Sequence, residues 1–454
     1  MRNKGAGAYD GILREQSGKL TSFQIIILGF AGVILAGALL LMLPVSSAAG
    51  QATPFMEALF TSTSAVCVTG LVVHDTATYW SGFGQLVLLL LIQIGGMGVI
   101  TVAVSFVMLS GRKITLMQRS TMQEAISAPK MGGIVRLTGF IVKTTLVIEL
   151  LGAAAMAPVF CRDFGLLPGM KMALFHSISS FCNAGFDLMG VVEPYSSLTA
   201  YAGNWVINLS VMLLIVTGGI GFLTWDDIRT NGIHLRSYRL QSKVILAVTA
   251  ALIAGPALFF YLYEFGGRDG AERILCSLFA AVTPRTAGYN TVPLSELDGP
   301  GQALTITLML IGGAPGSTAG GMKVTTVAVM FTTALAVFRR QESARLFGRS
   351  VAADSAKHAS AIFLMYVTLF LGGAFVISVA EGLPMGICLF ETASAIGTVG
   401  LSLGATPELG NVSRCVLVGL MFFGRVGGLT LIFAAMSGTR RTVAKLPTEK
   451  IMVG

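Results

Sequence analysis

The sequence predicts an all-α polytopic membrane protein: four helix–pore-loop–helix repeats, eight transmembrane helices in all, around a central pore. Three observations carry this. The chain is 54% hydrophobic and only 12% charged, whereas a soluble chain is usually about 25% charged, and its mean hydropathy over 454 residues is +0.77. Apolar stretches long enough to span a bilayer, roughly 20 residues each, fall into four pairs. Within each pair lies a half-length apolar stretch that ends on a small-residue motif and a glycine.

The spans are read at 24–43, 83–109, 137–160, 201–224, 244–264, 300–337, 360–380 and 411–436. The half-length stretches are 54–67, 170–182, 271–284 and 384–397. These are too short to cross, so they are expected to dip into the bilayer and return. Pro54, Pro168 and Pro384 stand at or near three of their starts, where proline suits a helix entry. The repeats are placed at 24–109, 137–224, 244–337 and 360–436, with a tail at 437–454.

The motifs that close the short stretches are Val68-Thr69-Gly70, Asn183-Ala184-Gly185, Thr286-Ala287-Gly288 and Thr398-Val399-Gly400, their glycines 115, 103 and 112 residues apart. Backbone that is neither helix nor barrel is tolerated at membrane depth only where protein buries it or it lines a water-filled path. Four such breaks imply a pore. A cation leaving water needs its hydration oxygens replaced, and four extended strands around an axis can aim carbonyl oxygens inward. These twelve residues are therefore the candidate cation site. Glycine supplies the backbone angles that such a ring needs.

The sixth span is too long for one crossing. Its middle, Gly312-Gly313-Ala314-Pro315-Gly316-Ser317-Thr318-Ala319-Gly320-Gly321-Met322-Lys323, cannot sustain a helix. It is read as a flexible loop at 312–323, just under the filter, with the role of a gate: Gly312, Gly313, Gly316, Ser317, Thr318, Gly320, Gly321 and Lys323. Arg425 is a charge flanked by apolar sequence. It is read as a barrier in the cation path or as a partner of the loop around Lys323, because a charge at that depth faces protein or water. Glu149 is similar and is expected to pair with a neighbouring helix. Arg285 is expected to anchor the third motif from behind.

The net charge of +9 does not mean nucleic acid, because of where it lies. The N-terminus to Phe23, the loops 110–143, 225–243 and 339–357 and the tail hold 23 of the 31 Lys and Arg. This bias places those segments, and both termini, in the cytoplasm. Acidic residues lean outward, among them Glu57, Asp75, Asp187, Glu193, Glu391 and Glu408, and a negative mouth concentrates cations. The six cysteines are scattered singly, without metal spacing. No cleavable signal is read at the start. No phosphate loop, no H-E-x-x-H and no large soluble domain is found, so the chain is read as not an enzyme.

At this point the sequence resembles the KtrB-type subunits of the Trk/Ktr/HKT superfamily of potassium transporters, over essentially its whole length. The motifs are Ser62 through Leu71, Asn183 through Phe186, Arg285 through Thr291, Thr398 through Leu401, Ile92-Gln93-Ile94-Gly95-Gly96, Ala314 through Gly321, and Gly424-Arg425-Val426-Gly427. The resemblance implies potassium uptake across the plasma membrane by channel-like conduction. Sodium-preferring plant relatives carry Ser at the first filter glycine, so Gly70 favours potassium. The loop 312–323 would be the intramembrane gate, narrowed by Arg425. Further implications are a homodimer with one pore per subunit and a C-terminal tail at the dimer contact. A cytoplasmic ring of RCK-type (KtrA-like) subunits that bind ATP or ADP would regulate it, and sodium would be an activator. No organic cofactor is implied on this chain. TrkH-type members carry two further N-terminal spans, so this chain reads closer to KtrB. Its gate reads Gly-Gly-Ala-Pro where Gly-Ala-Ser-Pro is expected. The competing reading is an ion-coupled symporter, which commonly needs intramembrane carboxylates; here only Glu149 qualifies.

Overall fold

The computed structural model describes residues 20–110, 114–126, 132–341, 343–428 and 430. The N-terminal segment before Leu20 and the tail expected at 437–454 lie outside them. The fold is predominantly helical, and its helices recur in one pattern: a long helix, a short buried helix, an irregular strand and a broken helix.

The first quarter shows the pattern. Helix α1 (Ser22–Leu41) opens on a capping box, Thr21 accepting from the Gln24 N–H while Gln24 accepts from the Thr21 N–H. Two otherwise free donors are thereby satisfied. The short α2 (Phe55–Val66) starts after Pro54. It is followed by α3 (Gly82–Met97) and α4 (Val99–Leu109), which meet at 94°. The amphipathic α5 (Leu116–Ile126) leads to the second quarter. There α6 (Ile134–Phe164) turns at Gly165 into α7 (Leu166–Phe181), and α8 (Trp205–Gly219) and α9 (Phe222–Asn231) meet at 96°. The third holds α10 (Leu240–Phe259), α11 (Gly270–Val282), α12 (Gly299–Leu310) and α13 (Val324–Phe338). The fourth holds α14 (Ala353–Glu381), α15 (Met385–Gly397) and α16 (Asn411–Val426). Between α13 and α14 is a small hairpin, β1 (Arg345–Leu346) with β2 (Arg349–Ser350). Phe347 and Gly348 both have positive φ, as the tightest two-residue hairpin turn requires.

Burial separates the helices into two layers. The ends of α2, α7 and α15 are wholly buried, as at Ser64, Val66, Ser180, Phe181, Ser394 and Ile396. The long α1, α6, α10 with its π-helical continuation to Glu264, and α14 each bury about a third of their most apolar stretch (28–33%). Their outer faces show Leu35, Leu39, Leu150, Leu151, Leu364, Phe375 and Val379. A patch of that extent is foreign to a water-exposed monomer and suits lipid. Among the described residues, four helices are long and apolar enough to cross a membrane, and the two bent pairs also qualify if each is one span.

Here the sequence expectation needs correction. The spans at 83–109, 201–224 and 411–436 are not continuous helices. They break at Gly98, Gly221 and Gly427, whose φ values are +87°, +89° and +89°. No helix continues through that angle, and only glycine adopts it cheaply. Among the described residues, the break expected in the sixth span is thus one of four, each in the second apolar run of its quarter.

Candidate ion pathway

The four short buried helices bring Gly70, Gly185, Gly288 and Gly400 together, though more than 100 residues separate neighbours in the chain. The packing is direct. A β-carbon on Gly70 would lie 2.6 Å from the Ala184 carbonyl oxygen. One on Gly185 would lie 2.8 Å from that of Ala287, and one on Gly288 2.5 Å from that of Val399. One on Gly400 would lie 2.2 Å from that of Thr69, which closes the ring in the order of the chain. The carbonyls of Thr69, Ala184, Ala287 and Val399 therefore stand side by side around one centre.

The backbone explains this. Two residues before each glycine stands a residue with positive φ: Val68 (+53°), Asn183 (+57°), Thr286 (+72°) and Thr398 (+52°). The glycines themselves have φ of +90°, +70°, +82° and +98°. The residue between has negative φ in all four. Alternating the sign of φ turns successive carbonyls to one side, whereas a normal strand alternates them. Left-handed φ at Val68 and Thr398 is costly for branched side chains, so surrounding contacts must hold it. The Thr69, Ala184 and Val399 N–H groups each donate over 2.8 Å to the carbonyls of Ser64, Ser179 and Ser394. Ser64 and Ser394 hydroxyls accept from the Gly70 and Gly400 N–H at 3.0 Å. In the other two quarters the hydroxyl donates instead: Ser179 to Phe186 O at 2.7 Å, and Thr283 to Tyr289 O. Buttresses lie behind. Arg285 reaches back from the third motif to the Thr249 hydroxyl at 3.2 Å and the Thr249 carbonyl at 3.5 Å. Glu149 accepts from Gln93 Nε2 of α3 at 3.2 Å, beside the Cys182 thiol.

Outside the ring lies a cavity of about 380 Å³, lined by all four glycines and by Asp75, Asp187 and Glu408. Asp187 is held up to about 7, chiefly by burial, with the Asp75 carboxylate adding to the effect and the Met189 N–H opposing it. Glu391 does not join this mouth. It is buried and accepts from Ser402, Thr406 and the Leu403 N–H, bracing the fourth loop from behind. Glu57 instead pairs with His74 at 2.7 Å and with Arg414 at 3.4 Å.

On the inner side of the ring runs the segment 311–323, between α12 and α13. Ile311 and Met322 pair as a parallel bridge, with Gly312 N donating to Met322 O at 2.8 Å. The segment is tied to the other quarters through their helix breaks. Ala314 N donates to Gly219 O at 2.9 Å, Phe222 N to Gly316 O at 2.8 Å, and Gly321 N to Gly424 O at 3.1 Å. The Thr318 hydroxyl donates to Phe181 O at 3.0 Å. Arg425 donates to Thr318 O, to Gly95 O and, at 3.1 Å, to Gly96 O. Its guanidinium thus clasps the loop to the first quarter. Lys323 folds back on its own segment, to Ala319 O at 2.8 Å and Gly320 O at 3.3 Å.

The TrkH profile, described as a cation transport protein, matches residues 14–440 of this chain. The chain belongs to the TrkH family of cation transport proteins. It is similar to the "Potassium/sodium uptake protein NtpJ" of Enterococcus hirae, 39% identical over 96% of this chain and 98% of that one. It is likewise similar to the "Ktr system potassium uptake protein B" of Bacillus subtilis, 36% identical over 96% and 97%, and of Vibrio alginolyticus, 32% over 95% and 94%. The crystal structure of the potassium transporter TrkH from Vibrio parahaemolyticus superposes with a TM-score of 0.71 at 20% identity, covering 90% of this chain and 84% of that one; this likeness speaks to fold. The TrkH family is one of multi-pass cation transporters, not of enzymes.

All twelve candidate filter residues of this TrkH family member fall in the ring segments, and the loop residues with Arg425 fall together on its inner side. Sequence reasoning missed the three other helix breaks. The signal was present: Gly95-Gly96-Met97-Gly98, Gly218-Gly219-Ile220-Gly221 and Gly424-Arg425-Val426-Gly427 hold the same register. The leading glycine of each abuts a buried helix end. β-Carbons on Gly95, Gly218 and Gly424 would lie 2.1, 2.1 and 2.2 Å from the carbonyls of Val66, Phe181 and Ile396.

Proposed function

We propose that this chain is the ion-conducting subunit of a potassium uptake system. It would pass dehydrated K⁺ between the backbone carbonyls of Val68–Gly70, Asn183–Gly185, Thr286–Gly288 and Thr398–Gly400. The observation that carries this reading is the closed ring of four glycines with its alternating φ. A ring of carbonyl dipoles replaces cation hydration, and an anion would meet only oxygen. The names of the Enterococcus and Bacillus relatives agree. A negative membrane potential supplies the drive, about 2.3 kcal/mol per charge per 100 mV.

In this reading the four repeats are 24–109, 137–224, 244–337 and 360–436, and the loop at 312–323 with Arg425 is the gate. Its bonds to the breaks of the second and fourth quarters and its clasp to the first support that role, since a segment so held separates the outer cavity from the inner side. The positive-inside bias supports a plasma-membrane orientation with both termini cytoplasmic. The Ktr names support a system with further components. A homodimer, a cytoplasmic nucleotide-binding ring acting on the gate and stimulation by sodium complete the proposal.

The test is cation flux into liposomes that hold the purified chain, with K⁺, Rb⁺ or Na⁺ as the driven ion. Flux of K⁺ and Rb⁺ well above Na⁺, set by voltage, supports a selective conduit. Equal Na⁺ flux, or flux that needs a Na⁺ or H⁺ gradient, would move the reading to a symporter.

A further inference from the structure

The cytoplasm-facing loops bring cations from three separate elements to one hollow. Arg119 of α5, Arg136 and Lys143 of α6 and Arg229 of α9 line a cavity of about 960 Å³ with no carboxylate in its wall. Among the described residues these four cations have no carboxylate partner. The neighbouring Arg239 differs: Asp226, at 2.8 Å, and Asp227, at 3.3 Å, neutralise it. Gathering like charges costs free energy, and nothing in the wall offsets it.

The hollow has apolar walls as well. Met108 and Phe140 line it, and the Arg229 guanidinium lies 4.7 Å from the Phe140 ring centre. Along α6, positions 136, 140, 143, 147 and 150 share one face by helical spacing. Beyond Lys143 that face continues as exposed Leu146, Val147 and Leu150. The cations therefore sit where an apolar, lipid-facing stripe begins. The uncapped start of α6 after Gly133 adds partial positive charge at the same end.

We propose that this hollow binds the phosphate of an anionic phospholipid, with the acyl chains lying along the α6 stripe. A soluble phosphate offers the same headgroup chemistry but has nothing to cover Leu146, Val147 and Leu150. The side of the membrane follows from the positive-inside bias; the site itself does not depend on which ion the chain carries. Basic hollows between helices at the cytoplasmic surface are a general means of holding such headgroups, at about 1 kcal/mol, or roughly fivefold in affinity, per cation.

The test titrates the detergent-purified full chain with phosphatidylglycerol, phosphatidylcholine and chain-free glycerol phosphate, counting bound molecules by native mass spectrometry. Phosphatidylglycerol is expected to bind most tightly. The triple variant R136Q/K143Q/R229Q is expected to lose about a hundredfold in affinity, at roughly fivefold per cation. The charge-keeping R136K/K143R/R229K is expected to retain the lipid, and its thermal melt reports that the fold is intact. The control R345Q/R349Q/K357Q, on the hairpin and the start of α14, is expected to change nothing. An unchanged triple variant overturns the proposal and leaves the cluster to a protein contact. Equal loss in the control overturns it in favour of a diffuse surface charge. Competition by glycerol phosphate as strong as that by the lipid overturns the acyl part and leaves a soluble-anion site.

Discussion

Gly320 of the central loop is packed against Thr398 at the base of the fourth ring segment: a β-carbon on Gly320 would lie 2.1 Å from the Thr398 hydroxyl oxygen. Loop and ring meet there without spare room. G320A is therefore expected to push the loop off its seat and raise basal K⁺ flux in liposomes. T398A removes the Thr398 hydroxyl and methyl and leaves only its β-carbon, 3.0 Å away, so the double variant is expected to return toward the parent. Residues in contact usually couple by about 0.5–3 kcal/mol. Strictly additive effects of the two changes would sink the idea that this contact seats the loop.

Arg425 is the second restraint. R425Q removes a charge that donates to Thr318, Gly95 and Gly96 carbonyls. Hydrogen bonds from charged groups are worth about 1.5–3 kcal/mol each. The variant is expected to raise basal flux, and deletion of Ala314–Gly320 to raise it further. Flux that stays flat or falls in folded protein of both variants would remove the gate role.

The ring predicts its own selectivity. G70S places a β-carbon 2.6 Å from the Ala184 carbonyl oxygen, so one wall of the ring must move. The expected outcome is weaker K⁺ over Na⁺ discrimination, read as the Rb⁺ to Na⁺ flux ratio. An unchanged ratio would count against a carbonyl ring in the first segment.

Outside pH should matter through Asp187. Its carboxyl is held up to about 7, so it is largely neutral at pH 6 and charged at pH 8. Negative charge at the mouth raises local cation concentration. The apparent KM for K⁺ is therefore expected to fall as external pH rises from 6 to 8, and D187N to flatten that dependence. A pH profile identical in D187N would assign the effect elsewhere.

Stability follows the same geometry. G218A puts a β-carbon 2.1 Å from the Phe181 carbonyl oxygen, backbone against backbone. A loss of about 1–3 kcal/mol or more is expected, as for other overpacked sites. G372A and G419A meet nothing within 4 Å and are expected to be neutral or to stabilise by about 0.5–1 kcal/mol, because helical alanine outranks glycine. Melting in detergent, with all three compared, checks the contrast.

Sequence alone carried the helical membrane class, the alternation of long spans with half-length stretches, and the four glycine motifs. It could do so because lipid forces apolar runs of fixed length and because backbone breaks in lipid demand glycine. It also exposed the loop at 312–323, since glycines and a proline so dense exclude a helix. What it left open was whether a glycine ends a helix, packs it or bends it. Gly98, Gly221 and Gly427 sit in apolar runs that read as unbroken spans, and only φ distinguishes their role from that of Gly419. The partners of charges were likewise decided in three dimensions. Glu391 and Glu408 are both acidic residues near the outer face, yet one braces a loop from within and the other lines the mouth. Arg425 and the carbonyls it holds at Gly95 and Thr318 are more than 100 residues apart in the chain, a closeness that no local pattern encodes.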